Sequence, residues 1–383
     1  MSYELSAIIS IGLEKQVLSE FNLKKKYYFK DLSIKTSIFS GGILFSFEDM
    51  RCFHLIKVLR SPTKFFLKIA EFKSRDLPKI FNQISKFPWE NYLYSSDFQV
   101  TATSKKSRLI NTKKIEETAE KALRKWLSAN PRKNLPLSLY TKTQKIHLSF
   151  NDDILSIRLD CSGEPNFKRN LRETQGLAPL RENYAYIMIS LLTKNLEKAD
   201  EKTVIVDPMC GSATIFSEAN NFFESITERD FSYQYFYILK NLAPLNSRPI
   251  KENAFSLLGI EKNQYLQAFH QQNFSTQKNV KFLYQDFLQL KKEDILHEKQ
   301  IFISNLPYGK RIKIAGDIVE FYRDVIKKIK NDFPNSISGF LMPTNFANKL
   351  HLKKLVSFKN GGLSVSFCQV NSSFNTDSTR VRD

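Results

Sequence analysis

From about residue 176 onward, short apolar runs alternate with longer amphipathic stretches, and this alternation restricts the fold more than any other feature of the chain. The apolar runs fall at 203–206, 257–260, 280–284, 300–304, near 338–342 and around 363–370, the last after Gly361-Gly362. Helical periodicity fills 213–223, 263–274 and 318–329 between them. Parallel strands cannot be joined by a tight hairpin, so strands that alternate with helices predict a parallel sheet with crossover helices. Sheets of that kind place their sites at the carboxyl ends of the strands.

The preceding 160 residues read differently, as small α+β modules. Strands are predicted at 4–11, 65–72 and 98–104, and a hairpin over 36–47 is broken at Gly41-Gly42. A strand pair spans 138–150 and 153–160, with Asn151-Asp152 as turn residues. Helices are predicted over 13–21, 48–59, 77–84 and 112–127. Residues 161–175 form a polar, basic connector carrying Lys168, Arg169 and Arg172. A chain of 383 residues is too long for one ordinary core, which again points to two domains.

Charge narrows the partners. Fifty-eight Lys and Arg stand against 39 Asp and Glu, a net charge of +19, which favours a polyanion. Cys52, Cys161, Cys210 and Cys368 are scattered with no CxxC pair, so neither a zinc ribbon nor a dithiol redox site is supported, and no metal is expected. No charged-then-apolar leader opens the sequence, and no apolar run approaches the roughly 20 residues that span a bilayer. The expectation is a reduced, cytoplasmic protein, with a monomer favoured.

Four strings carry chemistry. Val204 to Thr214, V-I-V-D-P-M-C-G-S-A-T, reads as a strand ending at Asp207, then a small-residue turn entering a helix whose free N–H groups face a ligand. Gly259 to Asn263, G-I-E-K-N, puts Glu261 at the end of the next strand, where it can accept from two ribose hydroxyls; taken alone, a solvated Glu at a helix start is the commoner reading. Phe282 to Phe287, F-L-Y-Q-D-F, puts Asp286 at the end of the third, where its carboxylate can accept from an adenine amino group with Phe287 packing nearby; a helix N-cap is an equal reading of that Asp. Ile301 to Ile312, I-F-I-S-N-L-P-Y-G-K-R-I, is the most diagnostic. An aryl amine is a poor nucleophile because its lone pair is delocalised into the ring. A site helps by accepting both of its N–H hydrogens. Asn305 offers a side-chain carbonyl, Leu306 a main-chain carbonyl, Pro307 fixes the turn, and Tyr308 offers a face for a flipped base.

Residues 176–370 resemble a class I methyltransferase of the THUMP-associated RNA methylase family, and are most similar to the bacterial 23S rRNA guanine-N2 methyltransferases. The resemblance rests on Q-G-L-A-P-L-R-E-N, D-P-M-C-G-S-A-T-I-F-S-E-A, G-I-E-K-N and N-L-P-Y-G-K-R-I. R-D-F-S-Y-Q-Y-F, Arg229 to Phe236, is similar to an insertion of that branch. The N-terminal S-P-T-K-F-F-L-K-I and F-P-W-E-N-Y-L stretches resemble a ferredoxin-like plus THUMP module.

The resemblance implies an α/β chain with a seven-stranded Rossmann-like class I methyltransferase domain over 176–383, a linker at 161–175, and an RNA-binding ferredoxin-like/THUMP region over 1–160. It implies S-adenosylmethionine as cofactor. Asp207, Pro208, Cys210, Gly211, Ser212 and Thr214 would line its methionine end, Glu261 and Lys262 its ribose, Asp286 and Phe287 its adenine, with Leu180, Arg181 and Asn305 completing the pocket. The target base would lie on Asn305, Leu306, Pro307 and Tyr308, and Lys24, Lys25, Lys26, Lys105, Lys106, Arg108 and Arg311 are candidate RNA contacts. Two departures stand out. The usual Gly-Ser-Gly-Thr is Gly-Ser-Ala-Thr, with Ala213 expected inside the helix, and Asn-Pro-Pro-Tyr is Asn-Leu-Pro-Tyr, as in rRNA adenine-N6 dimethylases. Guanine N2 of 23S rRNA is the expected target. The alternatives are guanine N2 of tRNA, adenine N6 of rRNA, a protein glutamine methyltransferase, which the basic surplus disfavours, and a non-catalytic RNA-binding assembly factor.

Overall fold

Buried and more exposed residues alternate along 98–101 and 144–151, whereas 203–207 and 337–343 are buried at every position, and the two patterns belong to two separate sheets. The computed structural model describes residues 2–130, 143–169, 180–194, 203–222, 226–227, 229–245, 255–308 and 317–371. The chain divides into two units of three segments each. The first holds Met1–Ile9, Val17–Asn166 and Ile226–Asn246; the second holds Ser10–Gln16, Phe167–Ser225 and Ser247–Asp383.

The first unit contains β1 (Tyr3–Ile8), most of α1 (Glu14–Tyr28), β2 (Lys35–Phe39), β3 (Gly42–Phe47), α2 (Leu55–Val58), β4 (Lys64–Lys73), α3 (Leu77–Ser85), β5 (Phe98–Lys105), α4 (Thr112–Ala129), β6 (Gln144–Asn151) and β7 (Ile154–Asp160). Its sheet runs β2-β3-β1-β4-β7-β6-β5, antiparallel except for the parallel pair β5–β6. Period-two alternation sends Leu5, Phe45, Leu67, Ile157, Leu148 and Val100 to the buried face. Asp76 and Asn111 cap α3 and α4 by accepting from the N–H groups of Lys79 (2.7 Å) and Lys114 (3.1 Å). Residues 231–236 join this unit: Tyr233 stacks on Phe53 and Phe236 on Tyr94, and all four rings are buried.

Two sequence expectations change here. The first helix does not stop at 21 but continues through Tyr28 and absorbs the lysine run. Lys24 lies one turn after Glu20 on the inward face and is 1% exposed. It pairs with the Glu20 carboxylate at 2.9 Å and donates to the Val58 carbonyl, so it is withdrawn as an RNA contact. Residues 161–169 are not a solvated connector either. Cys161, Ser162 and Asn166 are buried, and Asn166 donates to the Leu59 carbonyl at 2.9 Å. The rest of the expected linker, with Arg172, lies outside the described residues.

The second unit contains α5 (Glu182–Thr193), β8 (Thr203–Asp207), α6 (Thr214–Asn220), β9 (Ser256–Ile260), α7 (Gln267–Phe274), β10 (Val280–Leu283), β11 (Lys299–Asn305), α8 (Ile318–Asp332), β12 (Ile337–Pro343), α9 (Thr344–Lys349), β13 (Lys353–Asn360) and β14 (Leu363–Asn371). The seven-stranded sheet runs β10-β9-β8-β11-β12-β14-β13. The first five strands in that order are parallel, and β14 is antiparallel to both β12 and β13. This is the doubly wound, Rossmann-like arrangement. Strand order reverses between β8 and β11, so their carboxyl ends flank the crevice where such sheets bind ligands. Val204, Val206, Phe302 and Phe340 pack on Tyr322, Val325 and Ile329 of α8. Under α6, Glu218 pairs with Arg169 at 2.5 Å, both side chains fully buried. No helix among the described residues is long and apolar enough to cross a membrane.

Candidate active site

Strand β8 ends on Asp207, whose buried carboxylate accepts from the Met209 N–H at 3.1 Å. Burial pushes this carboxyl up to about 7, with the nearby Glu261 adding to the rise, while the Ser304 hydroxyl and the Met209 N–H work the other way. After the buried Pro208, Cys210 donates its N–H to the Ile260 carbonyl at 3.1 Å, and burial raises its thiol well above the usual range. Gly211 follows with φ +50°, and a Cβ built there would find nothing within 4 Å. Open space therefore lies over the turn's backbone, a cradle that a side chain would begin to fill.

Ala213 corrects the sequence reading. It is not inside the helix but is the N-cap of α6, with φ +53°. A glycine would take this left-handed conformation freely, while alanine takes it against its own Cβ. Ser212 and Thr214 flank it, with hydroxyl oxygens 3.5 Å apart.

The ends of β9 and β10 converge on the same turn. The Glu261 carboxylate accepts from the Gly211 N–H at 2.9 Å and from the Asn263 N–H at 2.8 Å. Asp286 takes its N-cap reading as well: it accepts from the Leu288 N–H at 3.0 Å at the start of a short 3-10 turn. Lys262 reaches across to pair with it at 2.8 Å. Burial pushes the Asp286 carboxyl up, but Lys262 and the Leu288 N–H outweigh it and hold it below the ordinary carboxylate range. Asp207, Glu261 and Asp286 thus end, or closely follow, three adjacent parallel strands. Phe287 does not join them. Its ring is 2% exposed, lies in the core and packs on Phe302, so its side chain is withdrawn from the cofactor set.

On the other side of β8, β11 ends on Asn305. Its Oδ1 is buried and has no hydrogen-bond partner among the described residues. Leaving a buried carbonyl oxygen unpaired costs about 1–3 kcal/mol, so such an atom calls for a partner, whether water, an ion or a ligand. Leu306 is fully buried and donates its N–H to the Leu341 carbonyl at 3.1 Å, so only its own carbonyl is left to act. Pro307 is fixed by Tyr322, which donates to its carbonyl at 2.7 Å. Tyr308 is half-buried; its hydroxyl accepts from the Asn360 amide at 3.4 Å, and burial raises its phenol.

Leu180 and Arg181 open α5, which packs on α6, the helix that follows the Asp207 turn. The Arg181 guanidinium lies over Phe167 at 5.0 Å and Tyr184 at 5.6 Å. Lys26, Lys105, Lys106 and Arg108 are exposed in the first unit and Lys25 is half-buried, its ammonium 5.9 Å from the Phe21 ring centroid. Arg311 and residues 175–179 of the Q-G-L-A-P-L-R-E-N string lie outside the described residues. Sequence reasoning missed Tyr322, Asn360, His270 and Tyr284, which bind this site's backbone and side chains from elsewhere in the fold.

Residues 169–360 match the family described as UPF0020, RMKL-like, methyltransferase domain. The chain belongs to this family. Among curated proteins it is similar to YpsC, a candidate RNA methyltransferase of Bacillus subtilis (strain 168), with 24% identity over 84% of this chain and 83% of that one. It is 23% identical to ribosomal RNA large subunit methyltransferase K/L of Buchnera aphidicola subsp. Acyrthosiphon pisum (strain APS), over 85% of this chain. The chain spans about half the length of that K/L relative, 49%. Among solved structures it shares its fold with SMU.472, a candidate methyltransferase complexed with SAH, at 22% identity and a TM-score of 0.73 over 97% of this chain and 98% of that one.

Proposed function

We propose that this methyltransferase acts on RNA and methylates an exocyclic base amine, with guanine N2 of large-subunit rRNA as the target. The cofactor is S-adenosylmethionine, which supplies a methyl group already activated by its sulfonium. The open cradle over Gly211 and the acceptor Glu261 at the end of the next strand fit that molecule. In this reading Asp207 and the 208–214 turn take the methionine end, Glu261 the ribose, and Asp286 with Lys262 the adenine.

The observation that carries the proposal is the unpartnered, buried Oδ1 of Asn305 at the end of β11, beside the β8 turn. Asn305 Oδ1 and the Leu306 carbonyl accept the two amine hydrogens and turn the nitrogen lone pair toward the methyl group. Tyr308 stacks the extruded base. The bound cofactor would supply the methyl group and leave as its neutral thioether, S-adenosylhomocysteine, while the amine nitrogen would take the methyl carbon and give up a proton. Catalysis is positioning and desolvation. The names of YpsC and of the K/L relatives support an RNA substrate. The first unit is read as a ferredoxin-like plus THUMP module that grips RNA through Lys25, Lys26, Lys105, Lys106 and Arg108, with affinity that falls steeply as salt rises.

Asn305→Ala is expected to abolish turnover while calorimetric binding of S-adenosylmethionine survives; wild-type turnover in that variant would sink the assignment. Deleting the gene and comparing methylated nucleosides should show N2-methylguanosine lost from 23S rRNA. Loss from tRNA, or loss of N6-methyladenosine, would move the target accordingly.

A further inference from the structure

Gly211 is held on both sides. Its N–H donates to Glu261, and its carbonyl lies 2.7 Å from Nε2 of His270. His270 stands 59 residues later in the chain, on α7, and is 1% exposed. Its ring lies flat on Phe282 of β10, with centroids 4.0 Å apart and planes within 6°. Its second nitrogen, Nδ1, is 2.9 Å from the Tyr284 hydroxyl, just beyond the end of β10.

These contacts fix the tautomer. A carbonyl only accepts, so Nε2 carries the hydrogen and donates to Gly211. Nδ1 is then an acceptor, and Tyr284 donates to it. Burial lowers the affinity of this imidazole for a second proton, which keeps the pattern intact near neutrality. The carbonyl it holds belongs to the residue with φ +50°, two positions before Ala213 at φ +53°. A turn with two left-handed residues, one of them alanine, persists only where its surroundings over-determine it.

We propose that His270 is a positioning residue of the cofactor site. It locks the Gly211–Ala213 turn and joins three strand ends: β8 through the Gly211 carbonyl, β9 through Glu261 on the Gly211 N–H, and β10 through Tyr284. The inference rests on reading these strand ends as the S-adenosylmethionine site. Removing the imidazole donor frees the Gly211 carbonyl, lets the turn relax and moves the N–H that orients Glu261.

The test is calorimetric binding of S-adenosylhomocysteine to the full chain, which needs no turnover. His270→Leu keeps bulk but loses the donor and is expected to weaken binding about tenfold, the value of one net hydrogen bond. His270→Gln, whose amide can donate from the same place, is expected to recover most of that loss, which a merely space-filling role would not produce. In steady-state kinetics KM for S-adenosylmethionine should rise in His270→Leu while KM for RNA stays unchanged. Wild-type affinity in His270→Leu, or equal losses in the Leu and Gln variants, would overturn the inference. Should His270→Leu fail to fold, Tyr284→Phe carries the test: a loss of about twofold to fivefold is expected, and wild-type affinity overturns it. A wild-type chain that does not bind S-adenosylhomocysteine would instead sink the site reading itself.

Discussion

In β6, Gln144, Ile146, Leu148 and Phe150 are buried while Lys145 and Asn151 are exposed; in β12, all seven residues from Ile337 to Pro343 are buried. Both strands belong to seven-stranded sheets. The first sheet is mostly antiparallel and keeps one face polar. The second is mostly parallel, and its crossover helices bury strand residues on both faces. That difference bears on where a ligand can bind. Where both faces are taken up by packing, the strand ends are what remains to meet a ligand, and Asp207, Glu261, Asp286 and Asn305 all lie at or just beyond strand ends.

The comparison can be broken most directly by strand parity. In β11, Phe302→Ala and Ile303→Ala point to opposite faces, and each is expected to cost about 2–5 kcal/mol in urea unfolding. In β6, Leu148→Ala should cost as much, but its neighbour Ser149→Ala should stay within about 0.5 kcal/mol. A mild effect of either β11 substitution would show that one face of the second sheet is not truly packed.

A second test asks whether the strand ends do the binding. The Asp207 carboxyl, normally near 3.8, is pushed up to about 7 by burial. Ionising it to meet the positively charged end of S-adenosylmethionine releases a proton on binding. Cofactor affinity should therefore climb with pH from 5 to 7, by up to about tenfold per unit, and level off above. Asp207→Asn should bind more weakly with a flat profile. Parallel profiles for the two proteins would remove Asp207 from the contact.

The smallest effect concerns the turn itself. Ala213→Gly relieves left-handed strain but loses a buried methyl and gains unfolded-chain freedom; these terms nearly cancel, so stability should stay within about 0.5 kcal/mol. Ala213→Val should destabilise, because a β-branched residue resists that conformation. The melting temperatures of the two variants check both.

The second sheet was the more legible in sequence, because its strands are short continuous apolar runs that end on chemically distinctive residues. Its edge strand β13 is hard to see in sequence: K-K-L-V-S-F-K-N buries only Val356 and Phe358, and its lysines mask the alternation. The helix of α1 was cut short because a lysine run looks solvated, and only the fold shows that Glu20 waits one turn away for Lys24. Ala213 was placed in the helix because nothing in G-S-A-T marks a left-handed residue. His270 had no signal at all. It sits in an ordinary polar helix, and its role exists only because the fold brings α7 back to a turn formed 59 residues earlier.

The interleaved segments of the two units have a consequence for how the protein is made. Synthesis runs from the N-terminus, yet Phe231, Tyr233 and Phe236, which fill the first unit's core, emerge only after the chain has laid down β8 and α6 of the second. The nascent first unit must wait, with Phe53 and Tyr94 uncovered, until about 70 further residues have left the ribosome. A gene cut after residue 166 would leave that wait permanent, so neither unit can be obtained intact by a single cut.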